Sequence, residues 1–187
     1  RDKSNNTQET RSSAADHEET DKMKAGRPSE TFIPLFGQNN SIGDMEGMLE
    51  RHNFYRAEVG TPPLQWSNKL AKNALKWANI LKKKNCLLKH SPRNMRKGYG
   101  ENIAWNSGYS ESAIGVVDRW CSEKEYFNFS TRTCNGSWDL CGHYTQVIWK
   151  TTTKVGCAVV KCGDEEIWVC QYSPSGNVNV SNKAPAY

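Results

Sequence analysis

The chain has 187 residues, a formal net charge of +5, a hydrophobic fraction of 36%, and seven each of Trp, Tyr and Cys. That is enough for one domain with a sizeable core, and no apolar run reaches the roughly 18 residues of a transmembrane helix. The densest basic stretch is Lys82, Lys83, Lys84, Lys89, Arg93, Arg96 and Lys97. It lacks the interleaved aromatics that nucleic-acid binding would use, so it reads as a solvated helix end and loop, with weak attraction to an anionic lipid or glycan left open.

Residues 1–40 are polar and charged, with almost no apolar side chain before Met23. Such a segment buries too little surface to offset chain entropy and reads as a disordered or extended arm. The polar start at Arg1, without Met, fits equally a chain whose leader has been removed or a cut end of a longer sequence. Within the arm, Phe32-Ile33-Pro34-Leu35-Phe36 is a candidate strap against the domain, which is expected to span 41–187.

Three amphipathic helices are predicted next. The first carries Met45, Met48, Leu49, His52 and Tyr55 at helical spacing and stops at Gly60-Thr61-Pro62-Pro63. His52 lies on its apolar face and reads as a hydrogen-bonded core histidine. The second opens at Ser67, an N-cap candidate, and lines up Leu70, Ala74, Trp77, Ala78 and Leu81 on one side. The third begins after Ser110 and carries Ala113, Ile114, Val117, Trp120 and Cys121.

The C-terminal part changes character. Segments 144–149, 155–162 and 166–172 are rich in β-branched and aromatic residues and read as strands. A two-residue turn at Gly163-Asp164 would join the last two. That register sets Cys157 opposite Cys170, within disulfide reach, and points Cys162 to the other face. Helices followed by a compact antiparallel hairpin make the fold class α+β.

All seven cysteines lie between Cys86 and Cys170. Cys157 and Cys162 sit near Cys141 and His143, which would suit zinc, but no paired Cys-x2-Cys or His-x3-5-His spacing occurs. Disulfides and an oxidising compartment are the better reading. Sequons at Asn5, Asn39, Asn128, Asn135 and Asn179 lean the same way, toward a secreted glycoprotein.

Polar groups that could carry chemistry cluster in Lys89-His90-Ser91, Gly100-Glu101-Asn102-Ile103, Trp120-Cys121-Ser122-Glu123 and Gly142-His143-Tyr144. Two imidazoles and two carboxylates suit zinc or another divalent cation, or acid–base work. Spacing by itself does not show that they converge, and solvated carboxylates with satisfied histidines explain it as well.

These blocks resemble the signatures of the CAP superfamily, which includes cysteine-rich secretory proteins, antigen 5 and pathogenesis-related class 1 proteins. Gly142 to Trp149 with Val155-Gly156-Cys157, and Cys170-Gln171-Tyr172-Ser173-Pro174-Ser175-Gly176-Asn177, are similar to its two usual motifs. His52-Asn53-Phe54-Tyr55-Arg56 and Leu64-Gln65-Trp66 resemble its first blocks. The resemblance implies a three-layer α–β–α sandwich with a small antiparallel sheet between helices. It also implies a central cleft holding His90, Glu101, Glu123 and His143, where relatives can bind a divalent metal, often zinc. Six cysteines match the plant-type pattern: Cys157 with Cys170 is supported, and Cys86–Cys162 with Cys134–Cys141 is the preferred division of the rest, other divisions staying open. Cys121 is the odd one, expected as a buried free thiol.

The resemblance further implies a secreted, single-domain protein of venom-allergen-like or plant type that is not an enzyme. Some relatives bind a sterol through the loop beyond the third helix, or a fatty acid between helices. Here the loop runs over 126–138, with Tyr126, Phe127, Phe129 and Trp138 as candidate lipid contacts. Packing of these aromatics into the domain is the competing reading. A recognition protein acting on a host or partner protein is the alternative function. A metal-dependent hydrolase is disfavoured because neither His-Glu-x-x-His nor Gly-x-Ser-x-Gly occurs.

Overall fold

The structure, a computed structural model, describes residues 45–96 and 98–178. The expected arm 1–40, with its apolar patch, and the sequons at Asn5, Asn39 and Asn179 lie outside the described residues.

The first helix, α1 (Met48–Glu58), ends two residues before Gly60, whose left-handed φ of 67° turns the chain out of it. The second, α2 (Asn68–Lys82), starts where Ser67 Oγ accepts the Leu70 N–H at 3.3 Å, and it buries Leu70, Ala74, Trp77, Ala78 and Leu81, the stripe read from the sequence. A four-residue helix, α3 (Arg93–Arg96), follows. The next, α4 (Ala113–Ser122), is capped by Ser112 Oγ on the Gly115 N–H at 3.0 Å, two residues later than the Ser110 start expected. After it come a 3-10 turn (Glu123–Tyr126), a small hairpin and the last helix, α5 (Gly142–Val147).

The main sheet has four strands in the order β1–β5–β6–β2. They are β1 (Gln65–Trp66), β2 (Gly100–Ser107), β5 (Lys154–Cys162) and β6 (Glu165–Ser173); β3 (Phe127–Asn128) and β4 (Thr133–Cys134) form the hairpin beyond α4. β5 and β6 pair through a turn at Gly163 (φ 67°), in the register expected, and Cys157 faces Cys170 with Cα atoms 4.1 Å apart. The sheet is mixed rather than purely antiparallel, because β1 runs parallel to β5.

Alternation along the strands builds two cores. Val155, Cys157, Val159, Trp168, Cys170, Tyr172 and Ala104 face α1, α4 and α5. Ile103, Ala158, Val160, Ile167 and Val169 face α2. The α–β–α sandwich is therefore present. Gly156 sits where α2 presses on β5: a Cβ there would collide with the backbone of Ser67 and Ala71 and lie 2.8 Å from Leu70 Cβ. The disulfides are Cys86–Cys162, Cys134–Cys141 and Cys157–Cys170, and Cys121 is a buried free thiol, all as expected. Burial pushes that thiol's pKa up, which keeps it protonated and inert.

Two expectations are corrected. Segment 144–149 is not a strand. Tyr144 to Val147 sit in α5, and Ile148 and Trp149 follow its end, so tertiary contacts override propensity. The Glu123 carboxylate takes the His143 and Tyr144 N–H groups at 2.9 and 3.2 Å, and Asn177 Nδ2 donates to Gly142 O at 2.7 Å. Segment 100–107, read only as a polar block, is the edge strand β2, paired with β6 over eight residues.

Candidate functional site

The start of β2 places the four expected residues as two histidine–carboxylate pairs. On the α2 side, His90 Nδ1 donates to Glu101 Oε1 at 2.8 Å. Glu101 also accepts from the Ser91 N–H at 2.8 Å, Ser91 Oγ at 2.6 Å and Gln171 Nε2 at 3.2 Å. Burial alone would push this carboxyl up, but bonds from His90, Ser91 and Gln171 outweigh it and hold the pKa below the usual range. Glu101 is therefore an ionised, fully engaged acceptor. It forms one wall of a cavity of about 620 Å³, together with His90, Arg93, Arg96, Tyr99 and Gln146.

The second pair is built at the end of α4. Trp120 and Glu123, three residues apart, project from the same side. The Trp120 ring stacks on His143 with centroids 6.0 Å apart, and His143 Nδ1 donates to Glu123 Oε1 at 2.6 Å. Glu123 accepts the His143 and Tyr144 N–H groups as well, so one carboxylate orients the imidazole and caps α5 together. Asn102, next to Glu101, donates to His143 O at 3.1 Å. The pairs thus flank the first residues of β2. His143 and Glu123 are not walls of the cavity that His90 and Glu101 line.

With Nδ1 donating to a carboxylate, each imidazole presents the Nε2 lone pair, and neither Nε2 has a hydrogen-bond partner among the described residues. The two side chains are 49% and 33% exposed. Among the described residues no three His, Cys, Asp or Glu side chains are grouped to hold one ion. Glu101 and Glu123 thus orient His90 and His143 through Nδ1.

His52 is the core histidine expected. It is buried, Nδ1 donates to Met48 O at 2.7 Å, and Tyr172 OH donates to Nε2 at 2.9 Å. The supporting residues that sequence reasoning passed over are Ser91, Asn102, Gln146, Gln171 and Asn177. One signal was visible: Gln171 is a lone polar residue between Cys170 and Tyr172 in an otherwise apolar run.

The loop beyond α4 separates its four aromatics. Tyr126 and Phe129 stand 43% and 46% exposed, whereas Phe127 is buried and Trp138 is partly buried against the core. Phe129 meets Phe127 and Tyr144 edge-on at 5.1 and 6.3 Å. Asn128 Oδ1 accepts the Ser130 and Thr131 N–H groups at 3.0 Å each, and Cys134–Cys141 closes the loop. Asn135 is exposed and Asn128 half-buried.

A sequence model described as "Cysteine-rich secretory protein family" matches residues 49–172. The chain is 40% identical over 146 residues to pathogenesis-related protein 1 of Arabidopsis thaliana, covering 78% of this chain and 83% of that one. It is 42% identical over 148 residues to pathogenesis-related protein 1C of Nicotiana tabacum, covering 79% and 84%. Among solved structures it is similar to NaASP2 with Zn2+, at 28% identity and a TM-score of 0.65 over 79% of this chain and 87% of that one. It is also similar to venom allergen-like protein 4 of Schistosoma mansoni, at 27% identity and a TM-score of 0.60 over 79% and 96%. Matched across most of its described length and to relatives well above 30% identity, the chain belongs to the CAP, or cysteine-rich secretory protein, family.

Proposed function

We propose that this chain is a secreted, non-enzymatic binding protein that takes up a lipid, a sterol at the loop 126–138 or a fatty acid between helices, and that His90 and His143 hold a divalent metal, with zinc the best fit. The observation that carries the lipid reading is the exposed Phe129 ring, packed edge-on to Phe127 and Tyr144 on a hairpin whose Cys134 end is tied to Cys141. At 46% exposure the ring adds apolar surface at the rim of the domain. Tyr126 extends that face; Phe127 and Trp138 support it from below.

The two free Nε2 atoms support the metal reading, and the relative NaASP2 has a structure with Zn2+. A bound ion would supply positive charge at imidazoles that Glu101 and Glu123 already orient. Ser91 Oγ supports a non-catalytic reading: it is buried and gives its proton to Glu101 rather than to an imidazole base. Three disulfides suit an oxidising, extracellular setting, where Asn128 and Asn135 are candidate glycan sites.

A sterol-binding assay on the full chain tests the ligand. Phe129→Ala is expected to weaken uptake by about tenfold or more, and unchanged binding would remove the loop from the account. Calorimetric titration with zinc tests the metal. His143→Ala should abolish the heat, and Glu123→Gln should weaken affinity by about 10- to 100-fold. Zinc binding untouched by both would end the metal reading. A partner protein recovered from source extract with no lipid on the chain would favour the recognition alternative.

A further inference from the structure

We propose that the loop following α2 docks on an anionic lipid surface, with Leu87 and Leu88 entering the headgroup region and Lys82, Lys83, Lys84 and Lys89 contacting phosphates. This goes beyond the ligand reading above and is independent of it, since the loop shares no residue with 126–138.

Leu87 and Leu88 are each 52% exposed, the two most exposed leucines among the described residues, and neither belongs to either core. Their exposure does not come from a frayed end. The Lys84, Asn85 and Leu87 N–H groups bond to Leu81, Lys82 and Lys84 carbonyls at 2.9, 3.2 and 3.3 Å. Asn85 and Cys86 both take left-handed φ values, 54° and 52°, a conformation that L residues seldom adopt twice in succession. Cys86 is buried and bonded to Cys162, and Trp77 Nε1 donates to Lys89 O at 2.9 Å. The loop is thus fixed on both sides of the two leucines, and they are held out in water.

The four lysines are exposed, and none forms an ion pair among the described residues. The Cys86–Cys162 bridge ties the loop to the end of β5, next to Asp164 and Glu165, and Glu101 accepts from His90 beside Lys89, so the four lysines outnumber these three carboxylates. A lysine cluster alone would suit an acidic glycan as well. Two adjacent rigid leucines at its centre favour a bilayer, because only a bilayer offers an apolar phase beneath an anionic surface.

The test is co-sedimentation of the full chain with phosphatidylcholine vesicles, with and without phosphatidylglycerol, at low salt. The chain should pellet with the mixed vesicles and stay in solution with pure phosphatidylcholine. Leu87→Ser with Leu88→Ser should lower partitioning by about tenfold, and Lys82→Gln, Lys83→Gln and Lys84→Gln together by on the order of a hundredfold. Near-ultraviolet circular dichroism checks that both variants are folded. Failure to bind mixed vesicles overturns the proposal. So does a leucine variant that binds as well as the parent, since charge alone would then explain attachment. Loss of sterol uptake in Phe129→Ala with vesicle docking intact would leave it standing.

Discussion

Acid should destabilise this domain beyond what its carboxylates require, because His52 is built into the interior as a neutral ring. Burial drives its pKa from 6.5 down to about 4; the Met48 carbonyl opposes the change and the Arg56 charge adds to it. The unfolded chain therefore binds a proton between those two values that the folded chain refuses. The sign follows: the stabilisation is fully present above pH 6.5 and is lost as pH falls toward 4. The gap corresponds to about 3 kcal/mol, a large part of the net stability of a domain this size. The perturbation is His52→Gln, which removes the titration. Urea unfolding at pH 7 and pH 4 for both proteins gives the pH-dependent loss in each, and the parent's should exceed the variant's by about 3 kcal/mol. His90, His143 and every carboxylate are common to both and drop out of the difference. Equal losses would refute the reasoning, as would an imidazole NMR titration placing His52 near its ordinary value.

Two further outcomes test the packing. Arg56 is buried and donates to the carbonyls of Pro62, Val147, Trp149 and Thr152 at 2.7 to 3.0 Å; Arg56→Lys should cost at least about 3 kcal/mol in urea unfolding, because one ammonium cannot reach all four. Gly156→Ala should cost about 1–3 kcal/mol by forcing α2 off β5, and a thermal midpoint unchanged from the parent would show that the helix can slide.

Much of the fold was legible because its periodic elements carry their own signals. The α2 stripe, with Ser67 ahead of it, and the β5–β6 turn fixed both helix face and strand register, and through them the Cys157–Cys170 pairing. Segment 144–149 misled for a physical reason. Its composition suits a strand, but Glu123, far away in sequence, caps it as a helix. Strand β2 was missed because Gly100, Glu101, Asn102 and Asn106 are poor strand formers; pairing with β6 and burial of those polar groups in hydrogen bonds outweigh their propensity. The site residues were legible as residue types and motifs. Their division into two oriented pairs was not, since it depends on Ser91, Gln171 and the end of α4 meeting across the sheet.

Asn102 carries a consequence that reaches past its size. Its amide touches both the His143 carbonyl and the Tyr172 hydroxyl, at 3.1 and 3.3 Å, and Tyr172 in turn meets His52 on α1. A single polar thread therefore runs through an otherwise oily interior, from α5 by way of β2 and β6 to α1 on the same side of the sheet. Occupancy at the rim that shifts the backbone of His143 has a ready route to the His52 ring, whose resonance becomes a built-in reporter on events it never contacts.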